Sequence, residues 1–182
     1  PDIHNISAFF NHILERINWE RDIHFQTETS IDTLDYSSKD LNVGSKVVMA
    51  ATGKPIRVLS KNIPELPSSL NAALINDGIL AIQGSPIELY EDAPSQIAEL
   101  INVLEDVIDV DDFPLIIICD DPHFLASDFN NFLWATFTRS NPSHDVYGIK
   151  SKTEFKHWGC SGSLIIDARF KPHNAPPLIE DE

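Results

Sequence analysis

The sequence predicts an α/β fold: a layered, mixed β-sheet with packed helices, built from two similar helix-strand-strand units. Three observations predict it. Helical and strand periodicities alternate along the chain. The aliphatic run Leu115-Ile116-Ile117-Ile118 has the composition of a strand covered on both faces. The two outer thirds also share matching segments in the same order.

Phe9, Phe10, Ile13, Leu14 and Ile17 recur at helical spacing, and Arg16 to Asp22 ends that helix and turns the chain. Asp22 to Thr27 alternates as a strand should, with Ile23 and Phe25 on one face. Gly44 opens a second strand, Ser45 to Ala51, and Ile56 to Leu59 fits a short third one. Ile79 to Ile82 and Ile87 to Tyr90 read as short strands around the Gly84-Ser85-Pro86 turn. Asp92 as N-cap and Pro94 in the first turn open a helix with Ile97, Leu100, Ile101, Leu104 and Ile108 on one stripe. The strand Leu115 to Cys119 follows, then a turn at Asp120-Asp121-Pro122 and a helix from Asp128 to Thr138. Asp145 to Lys150 and Gly162 to Ala168 are the last strands. The Pro-rich tail, from Lys171-Pro172-His173 to Pro176-Pro177, reads as extended or loosely packed.

The internal match has three parts. Phe9-Phe10 corresponds to Phe132-Leu133. Arg16-Ile17-Asn18 followed by Asp22 corresponds to Arg139-Ser140-Asn141 followed by Asp145. Gly44 to Ala50 corresponds to Gly162 to Ala168. The expected division is a first α/β unit at 1–60, an acidic connecting segment with an amphipathic helix at 61–112, and a second unit with the tail at 113–182, all in one compact domain. The counterpart of strand Leu115 to Cys119 would precede Pro1, and a start at Pro rather than Met fits a piece of a longer protein.

Charge excludes some functions. The 182 residues hold 28 acidic and 13 basic side chains, for a net charge of −15. Between Asn62 and Thr138 there is no Lys or Arg, while 14 of the acids fall there. A nucleic-acid binder needs a basic face to release counterions, and an anionic membrane surface needs one too. No apolar run approaches the ~20 residues of a membrane span. A hydrophobic content of 42% supports a packed core. Two cysteines, Cys119 and Cys160, make no disulfide framework, and with no recognisable signal peptide the expected compartment is the reducing cytoplasm.

Several residues invite a chemical reading. Cys160, with His157 three residues before it and His144-Asp145 elsewhere, could form a Cys/His nucleophile pair, but no nucleophile signature surrounds it. Asp120-Asp121-x-His123 matches no standard zinc or calcium spacing and reads as a turn and N-cap device. Gly44-Ser45-Lys46 lacks the earlier Gly of a P-loop and opens a strand rather than a helix. Arg16 and Arg139 sit where a cation meets the negative end of a helix, with Asp22 and Asp145 as expected partners. Glu105, Asp106 and Asp109 crowd a helix C-terminus against the dipole, either as a solvated end or as a surface that meets Lys or Arg of another domain or protomer.

Two segments carry a family resemblance. Leu133-Trp134-Ala135-Thr136-Phe137-Thr138-Arg139-Ser140-Asn141-Pro142 resembles the W-A-x-x-T-R-x-x-P stretch near the end of UbiD-type decarboxylases. Asp32-Thr33-Leu34-Asp35-Tyr36-Ser37-Ser38 with Gly44-Ser45-Lys46 is similar to their D-x-L-D-x-(A/S)-S … G-S-K segment. The resemblance implies a carboxy-lyase of the 3-polyprenyl-4-hydroxybenzoate decarboxylase kind, acting on aromatic or α,β-unsaturated acids. Its members include the ubiquinone-biosynthesis enzyme. They use prenylated FMN with a divalent metal and potassium, held with a Glu-Arg-Glu catalytic set in an upstream domain. No residue here matches that set. The chain is therefore expected to be the non-catalytic C-terminal domain, without its own cofactor or metal, serving homo-oligomer assembly and shaping the substrate cleft. Its partners would be the upstream catalytic domain and other copies. Arg139 and Asn141 are the candidates for a cleft-facing loop. Rival functions are a stand-alone interaction module with an acidic docking surface and a hydrolase dependent on Cys160.

Overall fold

The computed structural model describes residues 2–38 and 40–175. Its elements run α1 (Ile6–Leu14), β1 (Ile23–Ser30), β2 (Val43–Met49), β3 (Ala72–Asn76), β4 (Ile79–Gln83), α2 (Ala93–Leu104), β5 (Leu115–Cys119), α3 (Pro122–Ser127), α4 (Phe129–Arg139), α5 (Pro142–Asp145), β6 (Val146–Gly148), β7 (Ser151–Glu154), β8 (His157–Cys160) and β9 (Leu164–Asp167). The expected mixed sheet is present. It has five strands in the order β3-β4-β5-β9-β6. Strands β4, β5 and β9 are parallel, and the flanking β3 and β6 are antiparallel to their neighbours. β1 with β2 and β7 with β8 form separate two-stranded ribbons.

The period of two along each central strand sorts the core into two layers. Ile79, Ala81, Leu115, Ile117, Cys119, Leu164 and Ile166 face one side, where Leu14, Ile17, Trp19, Phe132 and Ala135 cover them. Leu80, Ile82, Ile116, Ile118 and Ile165 face the other, against Ile97 and Leu104 of α2. Both faces need cover, which is why the central strands are almost wholly aliphatic. The Trp19 indole donates to the Pro114 carbonyl at 2.8 Å and ties the N-terminal segment to the sheet.

The structure corrects several expectations. Ile56 to Leu59 is not a strand. Its backbone N–H groups at Ile56 and Arg57 donate to the Glu15 carbonyl at 2.8 and 3.3 Å, so it closes the C-terminal end of α1 instead. Ile87 to Tyr90 is not a strand either, because Tyr90–Asp92 forms a 3-10 turn that leads into α2. Asp92 holds the N-cap position without a side-chain cap bond. The helix ends at Leu104, before Ile108, which stays buried by a turn back onto the Leu104 carbonyl. The antiparallel partner of β4 is β3, joined through Gly78 at φ +72°, where a Cβ would meet Leu59 at 2.7 Å. The helix α3 and the ribbon β7–β8 were not legible. Lys171 is fully buried, so this part of the tail is packed; Pro176-Pro177 lies outside the described residues.

Two equivalent units are not established. β1 and β2 pair only with each other, while their sequence counterparts β6 and β9 belong to the five-stranded sheet. A local turn does recur. The Asn18 N–H donates to Asp22 Oδ2 at 3.0 Å, and the Asn141 N–H to Asp145 Oδ2 at 2.6 Å. In each case the Asp N–H donates back to the same Asn carbonyl.

The β7–β8 ribbon closes on two residues, Phe155 and Lys156, both at positive φ (50° and 65°). That is the backbone of a type I′ turn, which favours Asn and Gly. Holding side-chain-bearing residues there costs on the order of 1 kcal/mol or more each.

Ile117 is fully buried between β4 and β9. Ile117→Ala should lower the unfolding free energy by about 2–5 kcal/mol in a urea titration. Val58→Ala, at a position 85% exposed, should change it by no more than about 0.5 kcal/mol.

Candidate functional site

In open α/β sheets, ligands gather at the carboxyl ends of the parallel strands. Here those ends carry charge. Asp167 closes β9 and binds Arg169 through two parallel bonds, Nε to Oδ1 at 2.8 Å and Nη2 to Oδ2 at 2.7 Å. Both side chains are at most 1% exposed. Arg169 also donates to the Ser85 carbonyl at 2.7 Å and to Gln96 Oε1. Gly84 makes room for this, since a Cβ there would meet Arg169 Cδ at 2.6 Å.

Lys171 lies beneath. Its Nζ donates to the carbonyls of Arg139 and Asp167 at 2.8 Å each and of Arg169 at 3.2 Å, and stands 3.7 Å from Asp145 Oδ2. Asp145 accepts from Tyr90 Oη at 3.0 Å and from the Asn141 N–H at 2.6 Å. Burial raises the Asp145 pKa, against the pull of Lys171 and the two hydrogen bonds. Burial likewise lowers that of Lys171, against Asp145 and Asp167. The groups are committed to one another, as buried charges must be. This cluster fixes the backbone around it.

Arg139, at the end of α4, pairs with Asp120 at 3.0 Å and lies over the Trp134 and Phe170 rings at 5.2 and 5.9 Å. Its partner is thus Asp120, not Asp145, because the Asp145 carboxylate is turned into its own turn and onto Tyr90. Arg16 likewise meets Glu15 at 2.7 Å and the His12 carbonyl at 2.9 Å, while Asp22 takes Arg21 at 3.0 Å.

Two clefts flank this scaffold. The larger, about 530 Å³, is walled by Asp32, Leu34, Tyr36, Trp134 and Phe137, with Arg139 among its lining. It brings together the two segments singled out in the sequence. The smaller, about 260 Å³, is lined by Tyr90, His144, Tyr147 and His173, with Asn141 at its edge. Arg139 and Asn141 therefore do not share a cleft. Asn141 is nearly buried, and its Oδ1 accepts from Ser45 Oγ, and from Ser143 Oγ at 3.3 Å. It ties α5 to the Gly44-Ser45-Lys46 strand.

Other candidates are resolved by their surroundings. Asp121 caps α3 by accepting from the His123 and Phe124 N–H groups at 2.9 and 3.0 Å. Among the described residues no group of three or more His, Cys, Asp or Glu is placed to hold a metal. Burial pushes both Cys160 and Cys119 up to about 12. Cys160 makes its contacts with the Gly162 and Ser163 carbonyls, and no His nitrogen is bonded to its thiol among the described residues. Glu105, Asp106 and Asp109 line a shallow hollow beside Lys150. No helix among the described residues is long and apolar enough to cross a membrane. Sequence reading missed Tyr90, Asp167, Arg169 and Lys171; the alternating charges after an aliphatic strand were the available signal.

The fold and the paired charges define a mixed α/β domain whose clefts lie beside a rigid buried cluster. Residues 1–51 match the model of the 3-octaprenyl-4-hydroxybenzoate carboxy-lyase C-terminal domain, the UbiD C-terminal family. This covers the Asp32 to Lys46 segment but not Leu133 to Pro142. A protein of Chlamydia pneumoniae that is named as a 4-hydroxybenzoate decarboxylase component is 32% identical over 168 residues, covering 91% of this chain and 27% of its own length. Uncharacterized proteins of Chlamydia trachomatis and Chlamydia muridarum are 31% and 28% identical over 183 residues, covering 100% of this chain and 30% of theirs. The chain spans about 30% of the length of these curated relatives. The match over residues 1–51 and the Chlamydia pneumoniae relative together support a UbiD-family C-terminal domain.

Both thiols should resist Ellman's reagent at pH 8 in the folded protein and react together only in denaturant. Rapid reaction of Cys160 in the native state would contradict its burial.

Proposed function

We propose that this chain is the non-catalytic C-terminal domain of a UbiD-like decarboxylase of aromatic or α,β-unsaturated acids, serving oligomer assembly and forming one wall of the substrate cleft. The observation that carries this reading is the larger cleft. Its two walls are the Asp32 to Tyr36 loop, within the family-matched region, and the Trp134 to Arg139 end of α4. Leu34, Tyr36, Trp134 and Phe137 give the walls apolar and aromatic surface, and Asp32, Asp35 and the Arg139 guanidinium, which is paired with Asp120, lie among them. Such a surface suits a flat, largely apolar molecule, or the protein segment that holds one. The 4-hydroxybenzoate in the name of the Chlamydia pneumoniae relative is of that chemical class.

The residues present do not fit the family's cofactor set. Among the described residues no group of three or more His, Cys, Asp or Glu is placed to hold a metal, and the buried charges of Asp167, Arg169, Asp145 and Lys171 are paired with each other. Prenylated FMN, the divalent metal and potassium belong, in this reading, to the catalytic domain in the rest of the protein. No chemical step is assigned to this chain. Its side chains bind, orient and exclude water. A cytoplasmic site and a place in ubiquinone synthesis go with the same reading. The cysteine-hydrolase alternative is disfavoured by the two buried, high-pKa thiols.

In the full-length enzyme, Arg139→Ala should lower turnover by roughly tenfold to a hundredfold while leaving the sedimentation coefficient unchanged. An altered assembly with normal turnover would make Arg139 a structural residue and remove the cleft from the active site.

A further inference from the structure

The charges around the larger cleft do not cancel. Asp32 and Asp35, on one wall, are both exposed. One oxygen of each carboxylate is held by its own turn. Asp32 Oδ1 accepts from the Leu34 N–H at 2.8 Å, and Asp35 Oδ1 from the Ser37 N–H at 2.9 Å. Those bonds fix the carboxylates in place and leave their charge intact. Neither acid has an ion-pair partner among the described residues.

Arg139 is the one cation among the described residues that line the cleft, and it is already matched. Asp120 Oδ2 accepts from its Nη1 at 3.0 Å, and the same oxygen accepts from the Phe170 N–H at 2.9 Å, so the pair is fixed to the backbone. The guanidinium also lies over the Trp134 and Phe170 rings. With Arg139 set against Asp120, the charges of Asp32 and Asp35 stand uncompensated. An anion entering the cleft gives up hydration against apolar walls, meets two like charges and finds no unpaired cation among the described residues. A neutral ring loses little hydration and gains contact with Tyr36, Trp134 and Phe137.

We propose that the larger cleft is selective for an uncharged, planar aromatic molecule and discriminates against the corresponding carboxylate. The proposal rests on the decarboxylase reading above and deepens it. In that reaction the carboxylate leaves as CO2 and a proton takes its place on the ring, so the acid enters as an anion and the ring leaves neutral. The cleft then belongs to the product side of the reaction. Asp32 and Asp35 set the preference, and Asp120 sustains it by occupying the cation that would otherwise attract the acid.

The test titrates the 182-residue chain with phenol and, separately, with 4-hydroxybenzoate at pH 7.5, following the Trp134 indole N–H by NMR, with that signal assigned by its loss in Trp134→Phe. Phenol should move it and bind at least about fivefold more tightly than the acid. Asp32→Asn with Asp35→Asn keeps the oxygens that accept from Leu34 and Ser37 while removing both charges. This variant should strengthen 4-hydroxybenzoate binding severalfold and leave phenol binding unchanged. Asp120→Asn should act in the same direction by releasing the charge of Arg139. Equal or tighter binding of 4-hydroxybenzoate by the unsubstituted chain, or an unaltered preference in the Asp32/Asp35 variant, overturns the proposal and leaves the cleft as a wall of the active site. If neither molecule moves the Trp134 signal, the proposal and the cleft reading above fail together.

Discussion

Three parallel strands covered on both faces set the terms for the rest of the molecule. β4, β5 and β9 are aliphatic at nearly every position, and helices lie on each side of them. The carboxyl end of β9 emerges into protein rather than water, with Asp167 fully buried. Polar groups placed there must be satisfied internally. Asp167, Arg169, Lys171 and Asp145 meet that demand together, with the carbonyls of Ser85, Arg139, Asp167 and Arg169 completing the set. Through Lys171 the cluster holds the end of α4, and through Asp145 it holds the turn at Asn141 and the Tyr90 hydroxyl. Both clefts are thus anchored to one rigid foundation.

The acidic block from Asn62 to Thr138 also finds partners, and they come from outside it. Asp77 meets Lys61 at 3.6 Å, Asp111 meets Arg57 at 3.5 Å and Asp120 meets Arg139 at 3.0 Å. The exposed ion pairs contribute little to stability. They do show that the block is stitched to its flanks at its edges, while the acids near the end of α2 remain on the surface.

Much of the architecture was legible because it follows from simple periodicities. The run Leu115 to Cys119 gave a strand with matching limits, and α1, β2 and α4 followed from spacing and from Gly44. What failed had a physical reason in each case. β3 is short and half-buried, and its pairing depends on a glycine turn rather than on pattern. β7 is exposed at every position, so no alternation marks it, and its turn lacks Asn-Gly. Ion partners were misjudged because proximity in sequence does not set the direction in which a carboxylate points. Asp145 was expected on Arg139 but faces Lys171 and Tyr90. The charged residues of the buried cluster were invisible individually, since their role exists only once three strands meet. For the candidate site, the Trp134 to Arg139 and Asp32 to Tyr36 segments were visible as motifs, while their convergence on one cleft was not.

Functionally, the chain combines a rigid interior with two clefts, and both of its thiols are buried. The supporting role proposed above draws on that arrangement and on the family match over residues 1–51. The most direct test is to mix the isolated chain with prenylated FMN, Mn2+, K+ and a hydroxybenzoate, and to follow flavin absorbance bound to the chain together with CO2 release. The account predicts neither, with both appearing in the full-length protein under the same conditions. Flavin retained by the isolated chain, or turnover by it, would contradict the assignment of catalysis to the rest of the protein.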